Sequence, residues 1–171
     1  MTILYNAQPC DFFVTGYPRP KGSLRANPIP KRGGGWLTDA TGRPVVGVRH
    51  DSEGLVEWQD RVAREARVAW TYGRSIGAIG MQLCFVLPRP LNEWSTKAKG
   101  LVKPSAIFYP TKKPDVDKLT RAILDAFTGT VYVDDAQVTD VHAWKRYQGN
   151  REEAPGVAVS IWAICAQTVV P

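Results

Sequence analysis

The chain has 171 residues, about the size of one domain and long enough to bury a substantial core. Its 22 Lys and Arg against 16 Asp and Glu give a net charge of +6, which suits a polyanionic partner. Three widely spaced cysteines, Cys10, Cys84 and Cys165, contain no Cys-x-x-Cys pair; they argue against a zinc knuckle or a disulfide framework and fit a reducing cytoplasm. No stretch approaches the roughly eighteen apolar residues of a membrane span, and Met1 to Phe13 has no export-signal pattern, so a soluble, unexported chain is expected.

Phe12-Phe13-Val14, followed by Gly16 and the Pro18-Arg19-Pro20-Lys21 punctuation, reads as a first strand entering a stiff loop. Two shorter strands are expected near residues 35–38 and 44–48, with Gly33-Gly34-Gly35 as a hairpin tip. That glycine run is no phosphate cradle, because no Gly-Lys-Ser/Thr follows it. Leu55, Trp58, Val62, Ala66 and Ala69 share one face of a helix from about Leu55 to Trp70, which predicts a surface helix packed on a sheet. Ile79 to Leu87 is nearly continuous in apolar residues and suits a buried central strand. Residues 88–113 form a long Pro- and Lys-rich surface excursion of the kind that is functional or mobile.

A second helix is predicted over about 116–127, with Leu119, Ala122, Ile123, Ala126 and Phe127 as its buried stripe. Strands at 138–147 and 156–165 close the chain. The pattern reads as an α+β fold, one domain over residues 1–171, with a mixed sheet packed by two main helices.

Two aspartate pairs flank the second helix: Asp115 and Asp117 before it, Asp134 and Asp135 after a Gly129 turn. Crowded carboxylates repel unless a cation compensates, and hard oxygen ligands without paired His or Cys favour Mg²⁺, with Mn²⁺ as a substitute. Helix capping accounts for one of the first pair, not both. A single helix and a short turn are expected to fold the two pairs back together. Asp117 and Arg121 lie one turn apart, opposite the apolar stripe, as an exposed ion pair or as a metal ligand beside a phosphate-facing cation. Asp125 is expected to bond a neighbouring loop. Lys145 is either an exposed strand lysine or a cation beside a reacting phosphate. Basic charge gathers in residues 12–50, where Arg19, Lys21, Arg25, Lys31, Arg32, Arg43 and Arg49 face Asp39 alone, and again in residues 88–113.

The ordered run Lys113-Pro114-Asp115-Val116-Asp117, Leu119, Arg121, Leu124-Asp125-Ala126, Gly129, Val131-Tyr132 and Asp134-Asp135-Ala136-Gln137-Val138 resembles the RusA-like Holliday junction resolvases. Val14-x-Gly16-x-Pro18-x-Pro20-Lys21-Gly22 and Lys145 are similar to the same pattern. The resemblance implies a homodimeric, Mg²⁺-dependent endonuclease of a bacterial or prophage recombination pathway that nicks four-way DNA junctions symmetrically. Products would carry 5′-phosphate and 3′-hydroxyl ends. By position, Asp115, Asp117 and Asp135 become the catalytic carboxylates, with Asp134 beside them as a further metal-site candidate and Arg121 and Lys145 as assisting cations. The basic loops, through Arg19, Lys21, Arg25, Lys112 and Lys113, together with Lys118 at the start of the second helix, would hold the DNA backbone. The family often has Asn directly after its second aspartate and Lys four positions after it; here these are Lys118 and Arg121, and Arg is the poorer proton donor.

Three other readings use the same residues. Tyr132-Val133-Asp134-Asp135 resembles the Tyr-x-Asp-Asp signature of reverse-transcriptase palms, but the chain is too short for a polymerase. A non-catalytic binder of branched DNA needs only the basic loops. A flap- or fork-directed nuclease shares the carboxylates and differs in substrate.

Overall fold

The computed structural model describes residues 8–22, 24–50 and 54–164, and the side chains of residues 24–26 and 48–50 are outside the described set. In chain order the elements are β1 (Cys10–Thr15), β2 (Leu24–Pro28), β3 (Val46–His50), α1 (Leu55–Ala69), β4 (Ala78–Leu87), α2 (Val116–Phe127), β5 (Val138–Tyr147) and β6 (Gly156–Ile164). This is an α+β arrangement of one four-stranded mixed sheet, a small two-stranded sheet and two helices. The last predicted strand is found as β6 through Ile164, and Cys165 lies outside the described residues.

The larger sheet has the order β1-β6-β4-β5. β4 is central, antiparallel to β6 and parallel to β5. Alternation along β4 sends Ile79, Met81, Leu83 and Phe85 to one face, where all four are fully buried, and Gln82 to the other, where it is exposed. Both helices cover the apolar face. Leu55, Trp58, Val62 and Ala66 of α1 and Leu119, Ala122, Ile123, Ala126 and Phe127 of α2 enter one core with that strand. Burying each large side chain contributes about 1.5–3 kcal/mol.

Two glycines permit close approaches. A Cβ on Gly156 would run into the Val14 carbonyl across the β1–β6 ladder, and a Cβ on Gly80 into the Trp162 indole. The first obstacle is backbone and has little room to yield.

The segment 24–50 differs from the reading by pattern. Residues 24–28 are a strand, β2, paired antiparallel with β3. The expected strands near 35–38 and 44–48 are present as the single bridges Pro30↔Trp36 and Thr38↔Pro44 together with β3. Asn27 and Pro28 disguise β2, because neither favours a strand interior. The glycine hairpin tip is found: Gly34 N–H donates to the Lys31 carbonyl and Lys31 N–H to that of Gly35.

Residues 88–113 fold around a cation. Arg89 is only 5% exposed; its Nε donates to the Gln148 carbonyl at 2.7 Å and its Nη1 to Ile107 O at 2.8 Å and Glu93 at 2.7 Å. Its guanidinium also stacks over the Trp94 and Tyr147 rings. Beside it, Arg146 pairs with Glu153, which also accepts from Gly149 N–H.

The Arg146 hydrogen bond holds the Glu153 carboxyl below its ordinary value of 4.5. A group depressed on folding stabilises above its unfolded pKa and loses that contribution as pH falls through the folded one. Urea unfolding of wild type and Glu153→Gln should therefore differ most at neutral pH. The difference should shrink below pH 4.5 and vanish once Glu153 is protonated in both states.

Candidate active site

α2 turns its apolar stripe to the sheet, which leaves Asp117 and Arg121 exposed on its outer side. Among the described residues these two form no ion pair. Asp115 occupies the N-cap position, yet its carboxylate makes no capping hydrogen bond; it faces Lys118 Nζ at 3.4 Å. That exposed pair contributes little stability. Both carboxylates of the Asp-x-Asp pair are thus available to a ligand, at a helix end whose dipole favours anions.

Lys145 reaches this end from β5. Its ammonium donates to Lys112 O at 2.7 Å and Pro114 O at 2.8 Å, using two of its three N–H bonds. The lysine therefore ties the end of edge strand β5 to the chain entering α2 and sets where Asp115 stands. On the other side of α2, Lys21 N–H donates to Lys118 O at 2.9 Å, and its ammonium pairs with Asp125 at 2.7 Å. Asp125 bonds a neighbouring loop as expected, and Lys21, expected on DNA, has its charge placed on that carboxylate. Arg19 is exposed against Gly54, Lys112 and Lys113 are exposed beside Pro114, and the side chain of Arg25 lies outside the described residues.

The second aspartate pair stands at the opposite end of α2. Tyr132, fully buried, donates its hydroxyl to Leu124 O at 2.9 Å in the last turn of the helix. Burial, with Asp135 and Asp125 nearby, pushes this phenol well above its ordinary range, so it remains a protonated donor. Asp134 begins a short 3-10 turn, residues 135–137, accepting from Ala136 N–H at 2.8 Å in a capping box completed by Gln137. Gln137 Oε1 accepts from the N–H groups of Val133 and Asp134, while its Nε2 donates to Ser75 O and Gly77 O beside β4. Asp134 is thus committed to the turn, and Asp135 stands next to it, exposed.

Twelve helical residues at 1.5 Å each put roughly 18 Å between the two poles, and β5 separates Val138 from Lys145 by roughly 23 Å. The expected folding together of the two pairs within one chain is not what the structure has. Among the described residues no three His, Cys, Asp or Glu side chains form a group that could hold a metal ion. The chemistry of the first pole, two hard oxygen donors of which only Asp115 is engaged, and that in an exposed pair with Lys118, fits Mg²⁺. Pattern reading missed Gln137 and Tyr132, the residues that hold the second pole. The Asp-x-x-Gln spacing was the available signal for the first of them.

The family model described as Endodeoxyribonuclease RusA matches residues 29–161, more than three quarters of the chain. An uncharacterized protein of Bacillus subtilis (strain 168), YqaN, is 32% identical over 90 residues, covering 53% of this chain. The chain spans 61% of the length of that curated relative. No helix among the described residues is long and apolar enough to cross a membrane.

Lys145→Met should release the chain ahead of α2. Amide hydrogen exchange at residues 112–118 is expected to quicken at least tenfold, while β4 and β6 remain protected. Unchanged exchange at 112–118 would show that the two carbonyl contacts do not position Asp115.

Proposed function

Because the chain belongs to the RusA endodeoxyribonuclease family, we propose that it is a Mg²⁺-dependent endonuclease that resolves four-way DNA junctions by paired nicks, in recombination and repair. The observation that carries this reading is the pole at the start of α2. There Asp115 and Asp117 stand uncommitted to the fold, with Lys118, Arg121 and the clamped Lys145 around them.

Asp115 and Asp117 would hold the ion. When bound, it supplies charge neutralisation and an oriented water for in-line attack on the phosphodiester. Arg121, exposed one turn from Asp117, faces the phosphate with a bidentate fork. Lys145 keeps the loop before α2 in register and retains one N–H for a phosphate oxygen. Lys112 and Lys113 add backbone contacts whose strength falls with salt.

Asp135 lies beyond the reach of Asp115 in the same chain, which supports a homodimer in a specific form. A two-fold pair that sets the start of α2 in one copy against the 135–137 turn of the other brings Asp135 to Asp115 and Asp117 twice over. The two resulting sites match the two equivalent strands of a four-way junction.

Labelled four-way junctions should be nicked in pairs with Mg²⁺, not with EDTA, and linear duplex should be spared. Asp117→Asn should lower cutting at least 10³-fold while junction binding stays within about threefold. Binding by wild type without cutting would identify a non-catalytic junction binder, and preferential cutting of flaps or forks would reassign the substrate. Asp117→Asn and Asp135→Asn chains, each inactive alone, should regain about one quarter of the sites when mixed, as random two-fold pairing dictates. No recovery on mixing would mean that each site is complete within one chain.

A further inference from the structure

Beside the α2 pole runs a groove to which the mechanism above gives no role. It encloses about 410 Å³ between the loop after β1 and the start of α1, lined by Tyr17, Arg19, Glu57, Trp58 and Arg61. Trp58 is 4% exposed and forms part of the floor, whereas Tyr17 is 60% exposed and stands clear of the wall. Glycine keeps the cradle open. Gly16 has φ +138°, and a Cβ there would sit 3.2 Å from the Trp58 ring and 3.5 Å from Arg61 Nη1. A Cβ on Gly54 would sit 3.4 Å from Arg19 Nε.

Two guanidiniums therefore overlook a recess bounded by aromatic rings, with Glu57 as the opposing charge. Arg61 Nη1 donates to Thr15 O at 3.2 Å, which fixes the guanidinium while using one of its five N–H donors. The same Tyr17 and Arg19 also line an adjoining recess of about 250 Å³, together with Leu87, Lys113 and Pro114. The two recesses are thus joined through Tyr17 and Arg19, and the second ends at the residue before Asp115.

We propose that this groove is a nucleotide subsite for the DNA strand leaving the cut phosphate, with an unstacked base on Tyr17 and its phosphate between Arg19 and Arg61. The ligand class follows from the lining: two planar cations for a phosphate, Arg61 held on Thr15 O and Arg19 exposed, an exposed aromatic face for a base, and an acidic side chain able to accept from a base amino group. The assignment to DNA rests on the branched-DNA reading given above. It assigns α1, otherwise a packing helix, a part in holding substrate.

The test uses Asp117→Asn protein, so that binding is read without cutting, and junctions carrying one 2-aminopurine at successive positions on each side of the nick. Fluorescence at one flanking position is expected to change on binding. That response should disappear in Tyr17→Ala, return in Tyr17→Phe, and be accompanied by about tenfold weaker binding of a single-stranded oligonucleotide. Arg61→Ala should lower the slope of log affinity against log salt by about one. Thermal melting of each variant confirms that it folds. A response unaltered by Tyr17→Ala at every position, or a salt slope unaltered by Arg61→Ala, would overturn the subsite while leaving junction cleavage standing. Equal competition by free dAMP would reassign the groove to a mononucleotide. If junctions do not bind at all, the branched-DNA reading fails, and the same probe in a single strand still decides the groove.

Discussion

The parallel pairing of β4 with β5 is the constraint from which the rest of the layout follows. Antiparallel neighbours can be joined by a tight turn, but parallel ones require the chain to cross back over the sheet. Residues 88–137 make that crossing, and α2 is its return leg. The start of α2 must then lie where β4 and β5 end, and its finish where they begin. Asp115 and Lys145 share one edge of the sheet for this reason, while Asp134, Asp135 and Gln137 share the other with Ser75 and Gly77.

Different forces stabilise the two edges. At the Asp115 edge the contacts are ionic and partly exposed: Lys118 with Asp115, and the Lys145 ammonium on two carbonyls. Such contacts add little to global stability and much to position. At the Asp135 edge a buried phenol and a fully used glutamine amide fix the turn from within. Between β4 and α2, the excursion over residues 88–113 depends on Arg89, whose burial is tolerable because its hydrogen bonds and ring contacts replace the lost water.

Much of this was legible in the amino-acid order. The 3.6-residue spacing of Leu55, Trp58, Val62 and Ala66, and of Leu119, Ala122, Ile123 and Ala126, named the buried faces of both helices, and the apolar run at 79–87 named the central strand. β2 was hidden because Asn27 and Pro28 carry no strand signal; its pairing with β3 makes it a strand. The separation of the aspartate pairs was obscured by their nearness in sequence, although the rise of a twelve-residue helix already sets them far apart. The anchoring role of Lys145 was not legible, since nothing in a strand pattern says which carbonyls a lysine will meet.

The exposed carboxylates at the two ends of α2 have a consequence for how such a chain is kept safe in a cell full of DNA. Under the proposed reading, a lone copy carries two half-sites and no whole one, so dilution itself acts as an inhibitor. Pairing supplies two whole sites at once, facing equivalent strands. On that reading, partial damage, a single nick in a duplex that happened to collide with one copy, would be disfavoured by the placement of the aspartates before any recognition of DNA shape begins.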